Sequence, residues 1–166
     1  MQVMLMRHAD AEPMDAKHYP DDDQRPLTKR GCDIHEKVTS VLKHMGIAPT
    51  QIITSPRLRA LQTAGITAKG LNLVEKLTLS RALGQGYSLE AVLEMLGVFN
   101  PDDTILCVGH DPDLCELAAA LLGITESSSI KFPKSGVMGI EFHGSPAAGA
   151  GVLHFFYRPE DLVALL

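Results

Sequence analysis

Cysteine is scarce in this 166-residue chain, and it has neither a long apolar run nor a surplus of positive charge. The three cysteines, Cys32, Cys107 and Cys115, are odd in number and form no Cys-x-x-Cys pair, which excludes a disulfide framework and fits a reduced intracellular compartment. No uninterrupted apolar stretch approaches the ~20 residues a membrane helix needs, and the run from Leu114 to Leu122 is broken by Glu116. The first six residues run too soon into Arg7, with no basic segment before them, to make the apolar region of a signal peptide. These absences predict a soluble, cytoplasmic protein with no membrane partner. Fifteen Lys and Arg face twenty Asp and Glu, a net charge of -5, which argues against a broad nucleic-acid surface. Any bound anion must then be held by a local cluster of positive groups.

Apolar residues are plentiful at 45 %, enough in a chain of this length for one compact domain over 1–166 with its own core. Apolar runs bounded by turn residues predict strands at 3–6, 51–54, 104–108, 137–142 and 152–157. Helical patterns lie between most of them, at 28–45, 58–69 and 88–96. A further helix follows His110, with Asp111 expected to cap it and Pro112 to take the first helical position. Strands alternating with helices predict an α/β, three-layer fold. Its central sheet is mostly parallel with helices on both faces, and the closing pair of strands adds an antiparallel edge. Residues 15–25, DAKHYPDDDQR, and 145–151, SPAAGAG, read as surface loops. The run Asp21-Asp22-Asp23 reads as solvated, since nothing at ligand spacing accompanies it.

Open α/β sheets bind ligands beyond the carboxyl ends of their strands. Three such ends carry chemistry here: Arg7-His8, then Ser55-Pro56 leading to Arg57 and Arg59, then Gly109-His110. Cations in the first turns of a helix oppose the macrodipole, so Arg57 and Arg59 make sense beside a negative ligand such as phosphate. Residues two apart on a helix point differently, so one of the two faces the site, and spacing alone leaves open which. Taken singly, RHAD is as well read as an ordinary loop, and His110 as a structural histidine. The coincidence of the three segments is what counts. His18, His35, His44, His143 and His154 lack that context and are assigned to surface or packing.

Together LMRHAD (5–10), RPLTKRG (25–31), SPRLRALQTA (55–64) and VGHDP (108–112) resemble the histidine phosphatase superfamily, also called phosphoglycerate mutase-like. The small size and the MQVMLMRH opening are most similar to its SixA-type phosphohistidine phosphatases. The likeness spans positions 1 to 112 and is vaguer beyond. It implies a phosphoglycerate mutase-like fold, with His8 as nucleophile, Arg7 as its companion, Arg59 as the arginine of the family's RAxxT motif and His110 as the second histidine. Arg25 matches a position beside the pocket that touches substrate, and Asp111 is a further candidate substrate contact. Ala9 departs from the family, which usually has glycine there; its methyl is expected to crowd the backbone without abolishing activity.

The expected mechanism has one nitrogen of His8 donating to a backbone carbonyl while the other attacks phosphorus. Arg7, Arg59 and a protonated His110 would surround the phosphoryl oxygens, and no metal or cofactor is required. Ester-cleaving members of the family supply a carboxylic acid to the departing alkoxide, yet residues 79–83 contain none. Imidazole needs less help to leave, so the missing acid favours a phosphohistidine substrate, unless Asp10, Glu12 or Glu90 reaches in. No insertion is long enough to build a lid, and an open site suits a protein-borne phosphohistidine. The partner expected from the resemblance is a phosphohistidine-containing protein, such as a phosphotransfer domain of a two-component relay. Three rivals remain: a small phosphorylated substrate, a non-catalytic phosphate-sensing module, and a metallophosphoesterase using His8, Asp10, His110, Asp111 and Asp113. The usual signatures of the last are missing.

Overall fold

The computed structural model describes residues 1–84 and 86–166. Six strands form one sheet: β1 Gln2–Arg7, β2 Gln51–Thr54, β3 Leu77–Leu79, β4 Thr104–Gly109, β5 Val137–Glu141 and β6 Val152–Tyr157. Their order is β3-β2-β4-β1-β5-β6. The four strands from β3 to β1 run parallel, while β5 is antiparallel to β1 and β6 to β5. Five α-helices accompany them: α1 Lys29–His44, α2 Leu58–Leu71, α3 Leu89–Leu96, α4 Asp113–Leu122 and α5 Pro159–Val163.

Strand residues alternate between faces, and β1 shows that both faces are covered. Val3 and Leu5 join Val92, Leu96, Leu114 and Leu121 of α3 and α4 in one core cluster. Met4 and Met6 join Val38, Leu42, Ala60, Ala64 and Leu162 of α1, α2 and α5 in the other. A strand buried on both sides reads as a continuous apolar run, which is why β1 and β4 were plain in the sequence. The three-layer α/β expectation therefore holds, including the antiparallel edge.

Three local features differ from expectation. Strand β3 and helix α5 are additional, and both are too short to carry a readable period. Asp111 does not cap α4: Pro112 occupies the N-cap position, and the Asp111 carboxylate accepts a hydrogen bond from the Cys115 thiol at 2.8 Å. The acidic run is not a bare solvated loop either. It forms a single 3₁₀ turn, Asp22–Gln24, capped by Asp21 and held by arginines. Among the described residues, no helix is long and apolar enough to cross a membrane.

The start of α1 ties the segment after β1 in place. Thr28 caps the helix, its hydroxyl accepting from the Gly31 amide at 2.8 Å, while its own amide donates to the Asp10 carbonyl at 3.0 Å. A β-carbon on Gly31 would collide with that same Asp10 carbonyl. The glycine lets helix and loop approach closely.

Candidate active site

Strand order alone brings the three sequence segments together. Because β4 lies between β2 and β1, the carboxyl ends carrying Ser55, His110 and His8 are neighbours. Backbone hydrogen bonds continue the sheet past the strands: the His8 amide donates to Gly109 at 3.1 Å and the Ser55 amide to Val108 at 3.0 Å. Ser135, at φ 61, donates its amide to the carbonyls of Arg7 and His8 at 3.1 and 3.3 Å.

The two imidazoles sit 5.2 Å apart, centroid to centroid, and are almost buried at 7 % and 4 % exposure. His8 Nδ1 lies 2.7 Å from the Ala9 carbonyl. A carbonyl only accepts, so Nδ1 carries the hydrogen and the lone pair resides on Nε2. Burial, Arg59, Arg7 and Lys134 together hold the His8 pKa down to about 4, against the opposing Ala9 hydrogen bond. His110 Nε2 is 2.8 Å from the Ser55 hydroxyl. Burial, then His8, Arg59 and Arg57, push its pKa down to about 3, opposed by Asp22. Burial and the cationic neighbours thus favour the neutral form of the His110 ring.

Arg59, at 3 % exposure, is the arginine turned inward. It donates from Nη1 to the Asp22 carbonyl at 2.8 Å and from Nη2 to the Asp22 carboxylate at 3.0 Å. Arg57 forms an ion pair with Asp23 at 2.7 Å. Arg25 donates from Nε to Asp22 at 2.7 Å and from Nη1 to the Glu12 carbonyl at 2.8 Å, which puts it on the pocket's rim. Arg7 donates from Nη1 to the Phe132 carbonyl at 2.7 Å and pairs with Asp111 at 3.7 Å. Among the described residues, Arg7 Nε, Arg59 Nε and His110 Nδ1 are buried with no hydrogen-bond partner. Buried polar atoms ordinarily find partners, so three on the side chains around His8 mark a place for an acceptor-rich group. Thr39 Oγ1 and Tyr87 OH are also without one.

Ala9 is accommodated without strain. Its backbone lies outside the left-handed region, and its methyl packs with Ala11 and Leu27 against Cys32 and Ile66. Its amide donates to the Thr63 hydroxyl at 3.0 Å, which in turn donates to the Arg59 carbonyl at 2.7 Å. The RAxxT spacing therefore links the arginine to the backbone beside His8.

Asp10 is taken by Lys134, 2.5 Å away, and Glu90 is exposed on α3. Asp22 is the residue that was missed, while Ser55 figured only as part of a strand end and Asp113 only among the metallophosphoesterase candidates. Asp113 lines a small cavity with His110 and Tyr87, and burial raises its carboxyl pKa. The segment over 15–25, expected as a surface loop, lays Asp22 on Arg59. Among the described residues, no group of three or more His, Cys, Asp or Glu is arranged to hold a metal ion.

The chain belongs to the histidine phosphatase superfamily, whose branch 1 model matches residues 3–83. It is similar to phosphohistidine phosphatase SixA of Escherichia coli strain K12, with 41 % identity over 73 residues, covering 44 % of this chain and 43 % of SixA. A solved structure of the protein histidine phosphatase SixA complexed with tungstate superposes with a TM-score of 0.84 at 27 % identity, covering 98 % of this chain and 99 % of that one. An uncharacterized protein of Picosynechococcus sp. is 34 % identical over 142 residues, 84 % of each chain.

Proposed function

We propose that this protein is a phosphohistidine phosphatase acting through a covalent phosphohistidine on His8. The observation that carries the reading is the state of His8. It is a buried neutral imidazole with its hydrogen fixed on Nδ1 by the Ala9 carbonyl, ringed by Arg7, Arg59 and His110, each with an unpaired buried nitrogen. Such a ring offers a lone pair at Nε2 at neutral pH, and the three nitrogens suit equatorial phosphoryl oxygens.

In the first step the His8 Nε2 lone pair attacks phosphorus while the substrate P–N bond breaks. A phosphohistidine protonated on its other ring nitrogen departs as neutral imidazole. In the second step water attacks phosphorus, the His8–phosphorus bond returns its electrons to Nε2, and inorganic phosphate leaves with the water's protons. Arg7 and Arg59 offset a group carrying about -1.5 to -2 charge. Its arrival reverses the field at His110, which then takes up a proton and donates from Nδ1. The reaction needs neither metal nor cofactor. The likeness to SixA, and the tungstate oxyanion held by that relative, support the assignment. The substrate in this reading is a phosphohistidine-bearing protein such as a phosphotransfer domain.

The test is dephosphorylation of a histidine-phosphorylated phosphotransfer domain, without added metal, by the wild type and by His8→Ala. The wild type should release phosphate and the variant should not, with unchanged circular dichroism. Turnover by His8→Ala would contradict the reading.

One observation favours a second reading, hydrolysis of a small phosphoester: the Asp113 carboxyl, its pKa raised beside His110, is suited to protonate an alkoxide. Under that reading Asp113→Asn loses activity on p-nitrophenyl phosphate far less than on an alkyl phosphate, whose leaving group needs the proton. Under the phosphohistidine reading it leaves phosphohistidine turnover intact.

A further inference from the structure

Beside Arg7 the surface opens into a cleft of ≈ 600 Å³, walled by the start of α4 and by the segment over 127–133. We propose that this cleft receives the polypeptide around the target phosphohistidine, seating an apolar side chain on Ile130 and Pro133 and a carboxylate against Lys131. The proposal rests on the phosphohistidine reading and names how that substrate is recognised.

Continuity with the phosphate pocket comes from Arg7. Its Nη1 holds the Phe132 carbonyl in the cleft wall at 2.7 Å, while its buried Nε is left for the phosphoryl group. A chain whose phosphohistidine reaches His8 can therefore lay its neighbouring residues along this wall.

The chemistry of the wall selects the occupant. Arg7 Nε apart, the side chains of Cys115, Asp111 and Arg7 are engaged within the wall: the Cys115 thiol donates to Asp111 at 2.8 Å, Asp111 pairs with Arg7, and Arg7 donates to Phe132. The floor thus offers apolar surface and no fixed set of hydrogen-bonding groups by which a small polar metabolite would be specified. The rim carries exposed Lys131 and Arg158 and the exposed hydroxyl of Ser128. Arg158 is matched by Asp161 at 2.8 Å, which leaves Lys131 as the cation offered to a partner. On a chain of net charge -5, a cationic rim beside an arginine-lined pocket steers an acidic partner to this face.

The experiment compares two substrates, a histidine-phosphorylated phosphotransfer domain and phosphoramidate, with wild type, Lys131→Glu and Ser128→Trp. Lys131→Glu inverts the rim charge and Ser128→Trp obstructs the cleft, and neither touches the phosphate pocket. Both should raise KM for the phosphoprotein about tenfold while leaving phosphoramidate turnover at the wild-type level, which also reports intact folding. An unchanged phosphoprotein KM would overturn the proposal, as would equal losses on both substrates. A selective loss on a small phosphomonoester would assign the cleft to that ester's organic part and overturn it too. Wild-type hydrolysis of neither phosphoramidate nor phosphoprotein would instead refute the phosphohistidine reading, and the proposal with it.

Discussion

Asp22 grips Arg59 by two hydrogen bonds, accepting Nη1 on its main-chain oxygen at 2.8 Å and Nη2 on its carboxylate at 3.0 Å. The same carboxylate accepts from Arg25 at 2.7 Å, and Arg25, then Arg59, hold its pKa below the usual range. An acid met in the sequence as part of a solvated run thus fixes one edge of the guanidinium and leaves Nε toward the pocket. Asp22→Asn keeps the main-chain bond but removes the charge that aligns Arg59. We expect kcat to fall about tenfold, in line with the cost of misplacing a group that binds the transition state. Steady-state kinetics with kcat and KM separated checks this, and an unchanged kcat contradicts it.

The buried imidazoles predict the direction of the acid response. His35 lies wholly inside, with Nδ1 3.0 Å from the Ser135 hydroxyl and Nε2 2.8 Å from that of Thr67, and burial holds its pKa down to about 4. Its unfolded pKa is about 6.5, so between pH 6.5 and 4 the unfolded chain binds a proton that the folded chain does not. The neutral ring's contribution is fully present above pH 6.5 and is lost as the pH falls toward 4. His8 and His110 act in the same sense. His35 alone accounts for a loss on the order of 3 kcal/mol. Denaturant unfolding from pH 7 to 4 should show stability falling, and His35→Gln should flatten the slope. A wild-type stability that is level over this interval would refute the assignment.

Gly31→Ala places a methyl group against the Asp10 carbonyl. Backbone on one side and the first turn of α1 on the other leave little room to yield. We expect a loss of about 1–3 kcal/mol, as for other overpacked sites, together with reduced activity, because the same loop leads out of His8. Thermal unfolding and phosphatase assays on one preparation test both parts.

Ala9→Gly restores the residue usual in the family and removes a buried methyl from the cluster of Ala9, Ala11 and Leu27. One methyl and the added chain entropy predict a cost of about 1–2 kcal/mol. No gain in kcat is expected, since the Ala9 carbonyl already holds His8 Nδ1. A faster Ala9→Gly enzyme would show that the methyl distorts the site.

Much of this architecture is legible in the chain because doubly covered strands leave uninterrupted apolar runs. The bounds 51–54 and 152–157 coincide with β2 and β6. Leu77–Leu79 escapes because three residues joined only to β2 at the sheet edge carry no period. His8 and His110 were reached through strand ends that the order β2-β4-β1 makes adjacent, whereas Arg59 was chosen over Arg57 by the RAxxT resemblance alone. Asp22 was not: its meaning depends on a long-range contact with α2, and an acidic run looks the same whether it meets water or a guanidinium. Asp111 was misread as a cap from a local pattern that the pairing with Arg7 and Cys115 overrides.

In the proposed reaction His8 accepts the phosphoryl group. Rapid mixing of the wild type with a phosphotransfer domain carrying a radiolabelled phosphohistidine, followed by alkaline quench and peptide mapping, tests it directly. Transient label is expected on the peptide containing His8, stable in alkali and released by acid, and none in His8→Ala. Label elsewhere, or label persisting on the His8→Ala chain, would contradict it.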